Sequence, residues 1–331
     1  MHIQASKKNR FALLGLLALL ALVVSACGGS GRDSGGSSAA AGDTTASGGT
    51  SGSGTIEADG SSTVGPLAQV AAEKFSAANS GTTVNVGVSG TGGGFARFCN
   101  GETDLSNASR PIKDEEKAAC EKKGITYKEL VVANDGISLV VNNDNTWATC
   151  LTVEQLGMIW GSDSKLKSWK EVDPAFPDQE IKLYGPGTDS GTFDFFTGKI
   201  NGTEGASRSD YSASEDDNTT VSGVEGDKGA LGYFGLSYAE ENATKLKLIG
   251  IDSGKGCVKP STATVQDGTY TPLSRPLFVY VKDESAKREE VKKFLTYWID
   301  NAATLAKDAK FVPLTAEQLV TAKAELVKAT G

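Results

Sequence analysis

Short β-like segments alternate with helical patterns from Thr55 onward, and this order constrains the fold more than any other feature of the 331-residue chain. The first apolar run of strand length is followed by a turn and then by apolar residues at helical spacing, such as Leu67, Ala71 and Phe75 after Pro66, and later segments repeat the order. This rhythm of strand, turn and helix predicts α/β layers with a largely parallel sheet.

The same patterns predict the individual elements. Strands are expected at residues 55–58, 83–88, 130–132, 137–141, 181–184, 246–251 and 276–281, and helices at 67–75, 95–98, 152–160, 194–200, 286–299 and 315–328. Thr152 and Thr315 are predicted N-caps, because a hydroxyl oxygen can accept a free N–H group in the first helical turn. Residues 211–227 are polar and are predicted to form a loop.

The first 26 residues have the pattern of a targeting signal. Lys7, Lys8 and Arg10 precede an unbroken apolar run at residues 11–24, which is short for a membrane span and typical of a secretory signal core. The run closes on Val-Ser-Ala and then Cys27, as in a bacterial lipoprotein signal. We predict that residues 1–26 are removed and that Cys27 carries a lipid. The alternative is an ordinary secretory signal with an incidental cysteine.

Residues 27–55 are predicted to form a tether behind the lipid. Apart from Arg32, Asp33 and Asp43, residues 28–55 are Gly, Ser, Ala or Thr, and such a sequence cannot bury enough apolar surface to fold. A lipid anchor, a flexible tether and a folded body indicate an extracytoplasmic protein. It would be held at the cell membrane, in a periplasm or at the outer face, while it captures a partner or solute.

Charge and histidine content exclude several function classes. His2 is the only histidine, so neither a Ser-His-Asp nor a Cys-His nucleophile can be assembled, and no His-ligated zinc site is possible. The formal net charge is −8, and it would become −11 without the three cations of the signal. Such acidity argues against a nucleic-acid partner, because binding DNA or RNA requires a basic surface.

Four cysteines remain beyond Cys27, and an even number in an exported protein indicates disulfides. Three pairings are possible, and we predict Cys99 with Cys120 and Cys150 with Cys257. The alternative is free or metal-binding thiols, although no CxxC spacing occurs in the chain.

Three segments rich in glycine and hydroxyl residues each lie between a predicted strand and a predicted helix, at residues 59–63, 89–94 and 185–192. Free N–H groups at a helix start attract anions, and glycine lets an anion approach the backbone. Each segment taken alone could be a plain N-cap and tight turn. None matches a Walker A or GxGxxG nucleotide motif. Residues 215–217 are all acidic and could suggest a cation site, but a solvated acidic loop is the preferred interpretation.

Four motifs carry a resemblance to a known family: GSST at 60–63, SGTGGG at 89–94, DLSNASRPI at 104–112 and GTDSGT at 187–192. In this order they resemble the PstS family, the substrate-binding lipoproteins of the bacterial high-affinity phosphate ABC transporter. The segments GALGYF at 229–234 and RPL at 275–277 are also similar, so the resemblance covers about residues 56–331.

The resemblance implies a two-lobed periplasmic binding protein of type II that encloses inorganic phosphate and delivers it to ABC permease subunits. Lobe one would comprise residues 56–140 and 273–331, and lobe two residues 141–272. The crossings between the lobes would lie near 136–142 and 271–280. A protein of this family would be a monomer without catalytic activity, cofactor or metal.

Carried over by position, the implied phosphate-binding residues are Ser62, Thr63 and Thr91 from lobe one and Ser190, Gly191 and Thr192 from lobe two. The chain departs from the best-known branch of the family at two positions, with Ser109 in place of an aspartate and Pro186 in place of an arginine. Arg110 follows the first position, and Asp189 lies close after the second. We interpret this as an exchange: the cation and the carboxylate of the best-known branch are both retained, but each comes from the opposite lobe. Alternatively, Arg110 is a surface residue.

Three other functions remain open at this point: binding of sulfate, molybdate or another oxyanion, a phosphatase built on the same fold, and an adhesin or structural surface lipoprotein. The phosphatase would need a Ser or Thr nucleophile, and the sequence offers no evident base to activate one.

Overall fold

The computed structural model describes residues 54–188 and 190–331. The predicted signal peptide, Cys27, the tether up to residue 53 and Asp189 lie outside the described residues. The first strand begins at Gly54, next to the predicted end of the tether at residue 55.

The described residues form 11 strands and 12 α-helices. The strands are β1 (Gly54–Gly60), β2 (Thr82–Val86), β3 (Leu105–Ala108), β4 (Tyr127–Asn142), β5 (Cys150–Thr152), β6 (Lys182–Gly185), β7 (Ser212–Ala213), β8 (Ala230–Gly235), β9 (Leu246–Asp252), β10 (Cys257–Val258) and β11 (Ser274–Lys282). The helices are α1 (Gly65–Ala78), α2 (Gly90–Cys99), α3 (Asp114–Lys122), α4 (Val153–Trp160), α5 (Trp169–Val172), α6 (Gly191–Ile200), α7 (Asp217–Gly226), α8 (Leu236–Glu241), α9 (Thr262–Gln266), α10 (Glu289–Asp300), α11 (Ala302–Asp308) and α12 (Ala316–Thr330).

The sheet is mixed, and the prediction of a largely parallel sheet is wrong. Its strand order is β2-β1-β3-β11-β4-β8-β6-β7, with β9 also pairing β4. The outer pairs β1–β2, β1–β3 and β6–β8 are parallel, whereas β11 is antiparallel to both β3 and β4, and β4 is antiparallel to β8 and β9. The strand–helix rhythm correctly indicated parallel pairs within each half, but it carries no information about the strands that join the halves.

Two large hydrophobic cores divide the molecule into two lobes. The first core draws its buried side chains from residues 56–133 and 277–329, and the second draws them from 137–273 together with Val312. Strand β4 belongs to both, since it pairs with β11 up to Gly136 and with β8 from Ile137 onward. We call the elements around these cores the first lobe and the second lobe.

Several elements begin as the sequence predicts. Thr152 and Thr315 each accept a hydrogen bond from the backbone N–H three residues later, and Gln155 and Gln318 complete the two capping boxes. Both N-cap predictions are therefore confirmed.

Three local predictions differ from the structure. Residues 130–132 and 137–141 belong to one strand, β4, rather than two. The glycines at 90–94 are helical and form the start of α2, which was expected only from Phe95. The loop predicted at 211–227 is wrong, because it contains β7 and α7. Asp216 caps α7, and the helix buries Thr220, Val221 and Val224 on one side, so packing compensates for a polar composition.

The structure contains two disulfides with the predicted pairing, Cys99–Cys120 and Cys150–Cys257. The first links α2 to α3, and the second links β5 to β10. Among the described residues, no helix is both long enough and apolar enough to cross a bilayer.

Candidate anion-binding cleft

A polar cleft of about 720 Å³ lies between the two lobes. Its walls come from the loops after β1 and β2, the segment after β3 and the start of β11 in the first lobe, and from α6 and the loop behind it in the second. The structure brings together six of the predicted site residues in this lining: Ser62, Thr63, Thr91, Ser109, Arg110 and Gly191.

The loop after β1 presents hydroxyl groups to the cleft. Ser61 Oγ accepts hydrogen bonds from the N–H groups of Thr63 and Val64, at 3.2 and 3.3 Å, and so shapes the turn into α1. Thr63 Oγ1 donates to the carbonyl oxygen of Gly191 at 3.2 Å, so the two lobes touch directly at this threonine. A Cβ atom on Gly191 would lie 2.5 Å from Thr63 Oγ1, which explains why this position requires glycine.

The second loop places the N-terminus of α2 at the cleft. Thr91 lies in the first turn of this helix, and its Oγ1 lies 3.1 Å from Ser109 Oγ and accepts from the Ser109 N–H at 3.3 Å. Helix α2 also approaches β1 closely, because a Cβ on Gly94 would lie 2.5 Å from the Cα of Gly60. Hydroxyl groups from two separate loops are thus held within hydrogen-bond distance of each other.

A buried carboxylate, that of Asp59, connects the two loops. Its Oδ1 accepts from the N–H of Gly60 at 2.7 Å and from the N–H of Ser89 at 3.0 Å, and its Oδ2 pairs with Arg97 on α2. Asp59 is 2% exposed, so the pairing with Arg97 is needed to balance its charge. Sequence reasoning did not single out Asp59 as more than part of a turn.

The second lobe contributes the start of α6. Ser190 is the N-cap, with its Oγ accepting from the Thr192 N–H at 3.2 Å. Of the predicted residues at this helix start that the structure describes, Gly191 lines the cleft, whereas Ser190 and Thr192 do not belong to its lining. Asp189 lies outside the described residues.

Arg110 lines the cleft but is engaged with a carboxylate. Its two terminal nitrogens donate to the two oxygens of Glu116 at 2.8 and 2.7 Å, a bidentate pair, and its guanidinium lies 5.8 Å from the ring centre of Phe95. Hydrogen bonding to Glu116 raises the pKa of Arg110, and the pKa of Glu116 is lowered by hydrogen bonds from Arg110 and from the Lys113 backbone against the opposing effect of burial. The side chain is 30% exposed, so Arg110 is not a free surface residue.

Arg275 is the cleft residue that sequence reasoning missed. It lies at the start of β11, donates to Thr63 Oγ1 at 2.8 Å and to the Ser109 carbonyl at 3.2 Å, and pairs with Asp135 at 3.3 Å. Burial lowers the pKa of Arg275 and raises that of Asp135, and the attraction between them opposes both shifts. The sequence signal was available, since Arg275 opens an apolar strand in which a charged residue requires a partner.

The charge of the cleft differs in sign from that of the whole chain. Among the described lining residues, the cations Arg110, Lys113, Lys199 and Arg275 face the carboxylates Asp194 and Glu204. Burial raises the pKa of Asp194, Glu204 raises it further, and Arg275 opposes both. Although Glu116 and Asp135 pair with two of these cations, the lining itself carries more cations than carboxylates, so it can attract an anion even though the molecule is acidic.

Within the part of the chain that the structure describes, no group of three or more His, Cys, Asp or Glu side chains is arranged to hold a metal ion, the acidic residues 215–217 included.

Two lobes joined by paired strands, with a cleft of hydroxyl groups and cations between them, define a two-lobed ligand-binding protein. A family model described as the PBP superfamily domain matches residues 45–302. Protein SphX of Synechococcus elongatus is 48% identical over 265 residues, which cover 79% of this chain and 78% of the relative. The phosphate-binding protein PstS of Staphylococcus saprophyticus is 40% identical over 310 residues, or 92% and 91% of the two chains.

Solved structures give the same result. The crystal structure of a possible phosphate binding protein from Planctomyces limnophilus has a TM-score of 0.81 and 46% identity, covering 84% of this chain and 99% of that one. The chain therefore belongs to the PBP superfamily and, within it, to the family of the PstS phosphate-binding proteins. The resemblance predicted from the four sequence motifs is confirmed.

Proposed function

We propose that this protein captures inorganic phosphate outside the cytoplasm and delivers it to the permease subunits of an ABC-type importer. The observation that carries the proposal is the cleft itself, where hydroxyl groups from two loops, the start of a helix and buried arginine converge between two lobes. Such donors match the oxygens of a tetrahedral oxyanion.

We assign the proposed ligand contacts to Ser62, Thr63, Thr91, Ser109 and Arg110 in the first lobe and to Asp189, Ser190, Gly191 and Thr192 in the second. The first five and Gly191 line the cleft, which supports their assignment. The proposed lobe limits are residues 56–140 with 273–331, and 141–272. The division of the two cores near residues 133–137 and 273–277 supports these limits.

The test is isothermal titration calorimetry of the full chain with phosphate, sulfate and molybdate. We expect one phosphate per chain and weaker binding of the other two anions. Thr91→Val should weaken phosphate binding because it removes a hydroxyl without changing side-chain size, whereas Thr321→Val on the exposed face of α12 should not. Tighter binding of sulfate or molybdate would make that oxyanion, rather than phosphate, the ligand. If none of the three binds, the proposed function is contradicted.

We further propose that the mature protein is a monomer without catalytic activity, held at the membrane by a lipid on Cys27. The apolar run that ends at this cysteine and the Gly/Ser-rich segment behind it support the anchor. Cys27→Ser should abolish palmitate labelling and detergent partitioning in cells. Unchanged labelling of the variant would contradict the anchor and leave the phosphate proposal intact.

A further inference from the structure

The two strands that join the lobes carry opposite charges at one point of their register. Arg275 on β11 pairs directly with Asp135 on β4, one residue before the point at which β4 passes from one lobe to the other. The side chains are 13% and 7% exposed, and Arg275 Nε lies 3.3 Å from Asp135 Oδ2. The floor of the cleft therefore contains a buried ion pair.

Arg275 also contacts both walls of the cleft. In the first lobe its terminal nitrogens donate to the Ser109 carbonyl and to Thr63 Oγ1. On the second-lobe side, its guanidinium lies over the ring of Phe195 from α6, 3.6 Å from the ring centre. Stacking on an aromatic face and pairing with Asp135 hold the planar group in one orientation.

The two cleft arginines differ in which donors remain. A guanidinium has five N–H donors. In Arg110, Glu116 accepts one N–H from each terminal nitrogen and the Pro111 carbonyl accepts the second N–H of one of them, which leaves one terminal N–H and the Nε–H. In Arg275, Asp135 takes only the Nε–H. Apart from its bonds to Ser109 and Thr63, each terminal nitrogen of Arg275 keeps one N–H for which the described residues provide no hydrogen bond of standard geometry, and the side chain lines the cleft.

We propose that Arg275 is the fixed cation on which the anion rests, and that Asp135 is the positioning residue that orients it. The inference deepens the proposed function and rests on it. Arg275 touches Thr63 in the first lobe and Phe195 in the second. Binding of an anion to Arg275 would therefore also favour the closed arrangement of the lobes.

The experiment measures phosphate affinity by calorimetry in folded variants of the full chain. The paired variant Asp135→Asn/Arg275→Met leaves no unpaired buried charge and should weaken binding at least about 30-fold, as expected when a charged hydrogen-bond partner is lost. Arg275→Lys keeps the charge and the ion pair but loses the planar fork, and should weaken binding about tenfold. The control Arg208→Met/Asp210→Asn removes a buried arginine and its half-exposed carboxylate partner outside the cleft, and should bind phosphate as the unmodified chain does.

A double-mutant cycle with Thr63→Val shows whether Arg275 contacts the anion directly or affects phosphate binding only through its bond to Thr63. If Arg275 contacts the anion, adding Asp135→Asn/Arg275→Met to Thr63→Val should weaken binding at least a further tenfold. No further loss, or affinities within threefold of the unmodified chain in either folded Arg275 variant, would overturn the inference. Absence of phosphate binding by the unmodified chain would instead refute the proposed function.

Discussion

At the scale of single residues, the two arginines of the cleft, Arg110 and Arg275, differ in how firmly they are held. Arg110 is paired with both oxygens of Glu116, so much of its charge is already balanced, and its side chain is 30% exposed. Arg275 is held on three sides and needs no rearrangement. Because Glu116 pairs with both of its terminal nitrogens, Arg110 should contribute less to phosphate binding than its position in the cleft suggests.

The first prediction concerns Arg110 and Asp189. Arg110→Ala should weaken the free energy of phosphate binding by about 1.5–3 kcal/mol, the usual contribution of a hydrogen bond to a charged group. Asp189→Asn should weaken phosphate binding less but admit sulfate, because phosphate near neutral pH retains an O–H that donates a hydrogen bond to a carboxylate, whereas sulfate has none and is repelled by it. Calorimetry with both anions measures both effects. If Asp189→Asn still excludes sulfate, the discrimination resides in another group of the cleft.

At the scale of elements, covalent and ionic links hold the binding loops of the first lobe. The Cys99–Cys120 disulfide joins α2 to α3, and Asp59 joins the loop before α1 to the loop before α2. Helix α2, which carries Thr91, is thus held at both ends. Three of the first four residues of α2 are glycines, which have low helix propensity, so these links compensate for a weak local preference.

The second prediction compares the two disulfides. Their sequence separations are 21 and 107 residues. In the chain-entropy model, loops of such lengths correspond to roughly 3 and 4.7 kcal/mol. Cys150→Ala/Cys257→Ala should therefore lower the free energy of unfolding more than Cys99→Ala/Cys120→Ala in denaturant titrations. The reverse order would indicate that native contacts, rather than loop closure, determine the difference.

The third prediction concerns pH and helix α7. Burial, with Asp216 and Glu215 nearby, raises the pKa of Asp217 to about 6 from 3.8. The folded state thus binds this proton more tightly than the unfolded chain, and the resulting stability is lost as the pH rises from about 4 to about 6. Asp217→Asn should lower the unfolding free energy at pH 4 relative to that at pH 7 by about 1–2 kcal/mol. The effect is limited because the helix N-terminus favours the charged carboxylate. If the unfolding free energies of the variant and the unmodified chain change with pH in parallel, the prediction for Asp217 is contradicted.

At the scale of the whole molecule, two lobes meet at a small number of close contacts around the cleft. Thr63 and Gly191 touch directly, and Arg275 lies against Phe195. A ligand that bridges the walls should favour closure of the lobes about the paired strands β4 and β11.

The fourth prediction tests this closure by small-angle scattering. Phosphate should make the particle more compact. Gly191→Ala should reduce the compaction, because the added Cβ would lie 2.6 Å from the backbone nitrogen of Thr63. Gly226→Ala is the matched control, since a Cβ there meets no atom within 4 Å. Identical profiles with and without saturating phosphate would count against a closing cleft.

The sequence alone determined those features that depend on neighbouring residues. Hydropathy periods located six of the 11 strands and six of the 12 α-helices of the described residues. Thr152 and Thr315 marked their helix starts, and glycine with hydroxyl residues marked the loops that line the cleft. These signals are local, because a cap or an amphipathic period is formed within one or two turns of chain.

Tertiary structure alone decided how distant strands pair and which side chains that pairing brings together. Arg275 and Asp135 are 140 residues apart, and only the antiparallel register of β11 on β4 places them together. Helix α7 forms within a polar sequence because packing against β8 and β4 buries one of its sides. Strand direction and long-range pairing depend on the burial of apolar faces by the whole chain, and local residue patterns do not encode them.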